Sequence, residues 1–555
     1  MEHLSLKRKI TIMIAIMAAM FFAAINQTIT STAMPRIISI LDGMDYYTWT
    51  INIYLLTSTI ATVLVGKLSD IFGRKPFILI GILLFMAGAF LTGTSSDVFQ
   101  FIAYRGIQGI GAGIIQSTAF TAVGDLFAPR ERGKWMGLMT AIFGFSSVVG
   151  PTLGGYLVDH LDWHWLFWIF LPLGVVAFIM ILTLFPKVER KQGEGIDYLG
   201  SLFMTTTIVP LLLAFSWAGT QYEWGSAQIL GLLAATVVSA VIFVIIELKS
   251  KNPILPMHLF KNDVVTISNL IGFIMNFGMM GALIYISFFV QGVMGITPTY
   301  AGYVTMPMSI FMVIMSALTG QWIAKQGKYK KFALIGVPVM ILGMALMVIM
   351  NSIWLAVLSM VIFGIGLGLG MPVFSLATQN AVPHKELGVV TASSQLFRNL
   401  GGTIGIAVMG TVMSNSLKGN LKNALQSDSA PDFSKMDPEM AKQLTAFANP
   451  QTLMNKPLIE QTQAGLPGDV QPLFAQMIAS IRDALGDTLS VVFLTGTLVL
   501  VVAFVLVFFL RELPLRTSNQ ASPEAGGDAE TAPGAKGAAA SSKTAGVKSL
   551  NHLNP

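Results

Sequence analysis
Apolar runs of about 20 residues recur along this chain, separated by short polar links, and a run of that length is what an α-helix needs to cross a bilayer. They fall near residues 10–33, 47–66, 77–95, 99–122, 135–158, 164–185, 197–218, 227–247, 264–291, 299–322, 332–350, 353–379, 392–414 and 487–510, about fourteen in all. The pattern predicts an all-α polytopic membrane protein. One exposed segment is long, about 415–486. Within it Met436–Ala448 reads as helix, and so does Val470–Leu485, where Leu473, Met477, Ile478, Ile481 and Leu485 keep helical spacing. It is expected on the outer face, and three readings stand for it: an amphipathic hairpin shielding helix ends, a helix lying on the bilayer, or a cap on the outer vestibule. After Arg516 the chain is rich in Ala, Gly, Ser and Pro, and residues 515–555 are expected to be a disordered tail.

Loop charge orients the helices, because Lys and Arg gather on the cytoplasmic side. Lys7, Arg8 and Lys9 precede the first run; Lys67, Arg74 and Lys75 follow the second; Arg130, Arg132 and Lys134 the fourth. Lys187, Arg190 and Lys191 follow the sixth, Lys249, Lys251 and Lys261 the eighth, and Lys325, Lys328, Lys330 and Lys331 the tenth. Lys385 follows the twelfth run, and Arg511 and Arg516 the last. The intervening links are neutral or acidic, with Asp42, Asp45, Asp97, Asp159, Asp162 and Glu223. Every even-numbered run ends on the basic side, which predicts cytoplasmic termini. The first run is too long for a signal-peptide core and lacks a small-residue cleavage pattern, so it reads as a span.

Composition agrees. The 555 residues are 54% hydrophobic and 11% charged, against roughly 25% charged in soluble domains. There is no cysteine, hence no disulfide and no thiolate chemistry. The net charge of +6 is dispersed over loops and forms no basic, aromatic-bearing face for nucleic acid. No Gly-x4-Gly-Lys-Ser/Thr loop is present to cradle a nucleotide phosphate. His160 and His164 have ligand spacing, but only Asp159 and Asp162 stand nearby at a water–lipid boundary, and no metal site is expected.

Three motifs carry the candidate chemistry. The link Gly66-Lys67-Leu68-Ser69-Asp70-Ile71-Phe72-Gly73-Arg74-Lys75 is too short to hold a domain, so its charges and glycines serve helix packing. Gly66 and Gly73 permit close approach and a tight turn, Asp70 suits the positive N-terminus of another helix, and Arg74 is expected to reach Asp125. Arg105 lies inside the fourth run, where a lone cation is expensive and usually functional, although snorkelling to the outer surface is the alternative. In the fifth run Gly144, Gly150-Pro151 and Gly154-Gly155 let helices approach closely.

The 66–75 link resembles the inter-helix signature of the major facilitator superfamily, and the Gly/Pro set of the fifth run resembles the antiporter signature of its exporters. The run Ile25-Asn26-Gln27-Thr28-Ile29-Thr30-Ser31-Thr32-Ala33-Met34-Pro35 resembles the 14-helix drug:proton antiporter branch, as do Gly292 to Pro307, Gln379-Asn380-Ala381-Val382-Pro383 and Phe397-Arg398-Asn399-Leu400-Gly401-Gly402. The likeness covers about residues 10–412 and the last run. It implies that the 66–75 loop with Asp125 latches the cytoplasmic side and that Arg105 tunes proton coupling. It also implies two six-helix bundles, 10–190 and 263–514, flanking a midplane cavity, with a linking pair in 191–262. The cavity is then lined by spans one, two, four and five and by nine, ten, twelve and thirteen, whose polar candidates are Asn26, Gln27, Tyr54, Gln108, Gln116, Asn269, Asn276, Tyr285, Ser375 and Gln379. There are departures. Asn26 stands where that branch usually carries Asp, so it can hydrogen-bond but not titrate. His164 and Phe170 replace the usual Arg and Asn.

The expectation is a monomeric multi-pass exporter in the plasma membrane, taking hydrophobic or amphipathic compounds, with membrane lipids around it and protons as the driving partner. It needs no cofactor and is not an enzyme. Two alternatives stand: an exporter of an endogenous lipid, peptide or metabolite without the usual proton coupling, and a non-transporting scaffold or sensor.

Overall fold
The computed structural model describes residues 4–41, 46–186, 197–219, 221–296, 298–426, 456–468 and 470–515. The loop cations at 187–191, the acids Asp42 and Asp45, the Met436–Ala448 stretch and the tail from 516 lie outside these residues. All described residues belong to one compact unit. The long helices are α1 (Leu6–Ile40), α2 (Tyr47–Phe72), α3 (Arg74–Thr92), α4 (Val98–Leu126), α5 (Pro129–His160), α6 (Leu171–Leu184) and α7 (Tyr198–Trp217). They continue with α8 (Ala227–Lys249), α9 (Asp263–Phe288), α10 (Pro298–Gln326), α11 (Lys330–Val348), α12 (Ile353–Asn380), α13 (Leu387–Gln426) and α14 (Gln471–Phe509). Among the described residues the β content is one isolated bridge, Ala218 to Tyr222.

Twelve segments are long and apolar enough to cross a membrane. The other two long helices, α4 and α5, run 29 and 32 residues. Glycines lower their hydropathy, as do the charges at Arg105 and Asp125 in α4 and at Arg130, Glu131, Arg132 and Lys134 in α5.

Local chemistry sets the helix ends. Asp97 Oδ1 accepts from the Phe99 and Gln100 amides at 2.8 and 3.0 Å, and Asn262 Oδ1 accepts from Val264 and Val265 at 3.0 and 3.4 Å, satisfying first-turn donors that have no helical partner. Gly73 turns α2 into α3 with φ +88°, a conformation that favours glycine. One expectation changes. Residues 470–485 are not a separate helix of an outer hairpin, because α14 runs unbroken from Gln471. The buried positions Phe474, Met477, Ile478, Ile481 and Leu485 continue in helical phase into Leu489 and Val492, so one stripe packs as one helix.

The buried core divides by halves. Three apolar clusters draw only on residues 12–185, and another only on 264–510. A third kind of cluster joins the halves: Val63 of α2, Met204, Ile208 and Leu212 of α7, Phe243 of α8, and Val389, Val390 and Leu396 of α13. Thus α7 seals one seam between the halves. The segment after α14 is held on the basic face, with the Tyr329 amide donating to Glu512 Oε1 at 2.8 Å and the Leu513 amide to Tyr329 Oη at 2.9 Å. Burial raises the pKa of that Tyr329 hydroxyl.

Glycine interlocks hold the bundles. A Cβ on Gly401 of α13 would run into the Phe273 carbonyl of α9, whereas one on Gly302 of α10 meets nothing within 4 Å. Gly401→Ala is therefore expected to cost about 1–3 kcal/mol and Gly302→Ala nothing. Thermal melts of both purified variants check this, and equal melting points would contradict it.

Candidate functional site
The 66–75 link forms a buried charged clasp. Asp70, Arg74 and Asp125 are 9%, 5% and 5% exposed. Arg74 Nη2 donates to Asp70 Oδ1, Nε donates to Asp125 Oδ2 at 3.0 Å, and Nη1 donates to Ser69 Oγ at 2.6 Å. Asp70 also crosses to the other half, where its Oδ1 accepts from the Gly388 amide at 3.2 Å and its Oδ2 from the Val389 amide at 3.1 Å. Those amides are in the first turn of α13, whose positive end favours a carboxylate. Gly66 lets α2 come this close, since a Cβ there would overlap the Ala392 side chain. Lys75 Nζ ties the link to the end of α6 through the Phe185 carbonyl at 2.7 Å.

Two residues read from sequence only as loop charges take the opposite role. Arg130 donates to the Ala324 and Lys325 carbonyls at 3.1 and 3.3 Å, at the C-terminus of α10. Arg132, 2% exposed, donates to the Gly124 and Phe127 carbonyls at 2.8 and 3.0 Å and to the Gln379 carbonyl near the end of α12 at 3.4 Å. Cations meet negative helix ends, as an anion meets a positive one. Their sequence signal was a pair of arginines within the first turn of α5. Gln379 sits in the same seam, donating to the Phe120 carbonyl at 3.2 Å and to Thr391 Oγ1 at 3.0 Å. Farther along, Asn399 Nδ2 donates to Thr59 Oγ1 at 3.2 Å across α13 and α2.

The glycines of α5 serve two partners. Gly144 packs on Ser309, Met312 and Val313 of α10, while Gly150 and Gly154 pack on Thr28 and Ile29 of α1. Pro151 and Gly155 lie in the same helix.

Each half contributes a pocket lined by its own helices. The N-terminal pocket is lined from α1 (Gln27), α2 (Tyr54, Ser58), α4 (Gln116) and α5 (Phe143), among others. The C-terminal pocket is lined from α9, α12 and α13 and includes Asn269, Ser375 and Arg398; α10 contributes nothing to it. Gln27, Tyr54, Gln116, Asn269 and Ser375 thus line pockets. Asn26 and Gln108, both fully buried, do not. They form a chain behind the N-terminal pocket: Arg105 Nη1 donates to Gln108 Oε1 at 2.7 Å, and Gln108 Nε2 to Asn26 Oδ1 at 2.8 Å. Gln108 therefore stands between Asn26 and Arg105. The guanidinium also lies over the Tyr54 ring, 4.3 Å from its centroid, so Arg105 is 3% exposed and turned inward. Asn276 Nδ2 donates to the Arg398 carbonyl at 2.6 Å, and Tyr285 Oη to the Ile406 carbonyl at 3.2 Å, so these two brace α9 against α13. Sequence reading missed Arg398 as a pocket residue, although it carries the same signal as Arg105, a cation within an apolar run.

At the acidic end of the bundle, His164 Nδ1 lies 2.6 Å from Asp162 Oδ1 and the ring stacks on Trp163. His160 Nδ1 lies 3.0 Å from the Tyr156 carbonyl oxygen.

Two helical bundles, each with a small pocket, clasped together at one end by buried charges, define a membrane solute carrier. A family model described as Major Facilitator Superfamily matches residues 16–406, and the chain belongs to that superfamily. It is 40% identical over 514 residues to the "Multidrug transporter protein MdtP" of Bacillus subtilis (strain 168), covering 90% of this chain and 92% of that protein. It is 30% identical over 519 residues to "Multidrug resistance protein 3" of the same organism, covering 93% and 97%. Among solved structures, the proton:xylose symporter XylE aligns with a TM-score of 0.55 at 14% identity over 74% of this chain and 90% of that one, a likeness of fold. The protein is a multi-pass membrane transporter.

Neutralising the clasp acid should loosen the basic face. Asp70→Asn removes a charge–helix-end interaction of about 1–2 kcal/mol, about a five- to thirtyfold change in the closed-to-open ratio. The chain has no cysteine, so spin labels at Glu131→Cys and Gln326→Cys, exposed on α5 and α10 across the neighbouring seam, read whether the two halves part. A broadened, longer distance distribution is expected in Asp70→Asn; an unchanged one would contradict the role of the clasp.

Proposed function
We propose that this chain is an efflux carrier that exports hydrophobic or amphipathic small molecules across the plasma membrane by alternating access, driven by proton antiport. It does so as a monomer with fourteen spans and both termini in the cytoplasm. The observation that carries this reading is the pairing of one pocket in each half with a clasp that joins the halves at one end. A central site between two rocking halves is the arrangement alternating access requires. The similarity to multidrug transporters supports small-molecule cargo and outward transport. The fourteen-span count adds α4 and α5 to the twelve strongly apolar segments, which puts every basic loop on one side.

A second reading keeps the carrier and changes the drive: export of an endogenous amphipath without the usual proton coupling. It is favoured by Asn26, whose amide cannot take up a proton, at the head of the Arg105–Gln108–Asn26 chain. In the leading reading that chain is a positive electrostatic element beside the N-terminal pocket, and the proton is carried elsewhere.

Everted vesicles energised by a proton gradient separate the two. A panel of cationic, neutral and anionic amphipaths is added, and substrate-induced proton release is followed in wild type, Asn26→Asp and Arg105→Ala. The leading reading expects release from wild type and at least a tenfold loss in Arg105→Ala. Release only from Asn26→Asp would favour the second reading, and no substrate-dependent signal or substrate movement from any variant would overturn both.

A further inference from the structure
The C-terminal pocket holds a cation for which none of the described residues provides a counter-ion. Arg398 projects from α13 into the pocket lining. Its Nη1 donates to Ser375 Oγ at 3.1 Å, and its guanidinium lies 5.7 Å from the centroid of the Phe120 ring, across the seam between the halves. Among the described residues it forms no ion pair. A guanidinium carries five N–H donors in a planar fork matched to a carboxylate or sulfonate, and among the described residues Ser375 is the one hydrogen-bond partner of this side chain.

A second group points the same way. Ser268 lines the same pocket, is 2% exposed, and its Oγ has no hydrogen-bond partner. Buried hydroxyls are normally paired, and here the pocket is the direction from which a partner can come. The neighbouring polar groups are engaged with one another: Asn269 Nδ2 donates to Ser393 Oγ at 3.2 Å, and Ser394 Oγ donates to Asn269 Oδ1 at 2.7 Å. The rest of the wall is Gly272, Met275, Met371 and Phe374. Gly272 leaves room beside the Arg398 stem, where even a Cβ would lie 3.5 Å away. Methionines adapt to varied apolar shapes. The N-terminal pocket has no charged residue in its lining.

We propose that this pocket is an acid-accepting subsite, in which Arg398 and Ser268 take the carboxylate or sulfonate of an amphipathic small-molecule anion while the Met/Phe wall takes its apolar body. The proposal rests on the efflux reading and names its substrate class: amphiphiles bearing one acidic group, in preference to lipophilic cations. A guanidinium without a counter-ion repels a cation and must stay desolvated beside a neutral ligand, so the acid gains where the others lose.

The test uses the full-length protein in everted proteoliposomes of phosphatidylcholine, with three probes: dansyl-leucine, its methyl ester, and tetraphenylphosphonium. Equilibrium binding is read without a gradient, by dansyl fluorescence for the acid and ester and by displacement of the dansyl probe for the phosphonium, and uptake is read with one. Wild type is expected to prefer the acid over the ester at least tenfold in both measurements. Arg398→Gln should lower that acid-to-ester ratio at least tenfold, Arg398→Lys should restore part of it, and Ser268→Ala should lower it about threefold. Because the ratio is internal to each variant, partial misfolding does not imitate the result. Equal handling of acid, ester and phosphonium by wild type would overturn the subsite and leave efflux standing, as would a ratio unmoved by Arg398→Gln. An acid preference in binding that vanishes when phosphatidylglycerol is mixed into the vesicles would mean that a lipid headgroup occupies the pocket, and would also overturn it. Arg398-dependent binding with no energised uptake of any probe would sustain the subsite and defeat the efflux reading.

Discussion
Asp70 is a carboxylate held away from water, and a buried anion must be compensated on every side it presents. Arg74, four residues on, satisfies one side within the same half. The other side is satisfied only when α13 is near, because the remaining donors are the Gly388 and Val389 amides at its N-terminus. Moving the halves apart at this end strips those amides away while leaving the Asp70–Arg74–Asp125 group intact. The acid therefore has a stable set of partners in either state and a better one when the face is closed. That makes it a bias on a two-state element rather than a fixed rivet.

The remaining clasp contacts obey the same rule with the sign reversed. Arg130 and Arg132 leave the first turn of α5 and end on the carbonyls that close α10 and α12. Such contacts need backbone within reach of backbone. The glycines supply it: Gly66 against α13, and Gly137 and Gly133 against Ser316 and Gly320 of α10. A side chain at these positions would hold the helix ends apart and leave the charges facing a gap. Packing thus precedes electrostatics here, and the pockets lie behind the seam that both close. Farther along α2 and α13, each bonds to α7 or the link that follows it, with Asn52 of α2 bonded to Ser216 of α7 and Trp224 donating to Thr411 of α13 at 2.6 Å.

Much of this was legible in the chain because lipid imposes a strict code. The all-helical membrane fold follows from hydropathy. The Arg74–Asp125 contact and the seating of Asp70 on a helix end followed from spacing and charge within one short link. What was not legible shares a physical cause. Helix faces are set by rotation, and glycine-rich helices such as α4 show little difference between one face and another in sequence. Gln108 therefore read as a cavity residue, whereas it is buried between Asn26 and Arg105. Asn276 and Tyr285 likewise turn toward α13. Residues 470–485 read apart from the last run because their polar residues broke the hydropathy average, although their apolar stripe keeps phase with the rest of α14. Arg130 and Arg132 served the loop-charge argument so well that their second use, on the C-termini of the opposite half, left no separate trace.

The central claim is that the α2–α13 seam and the α5–α10 seam are one closure, biased from both sides by charges on helix ends. A double-mutant cycle of Asp70→Asn and Arg130→Gln tests it, with spin-label distances measured across each seam in all four proteins. The account predicts that either substitution lengthens the distance across both seams, because a rigid half cannot open along one edge alone. Each substitution loosening only its own seam would contradict it.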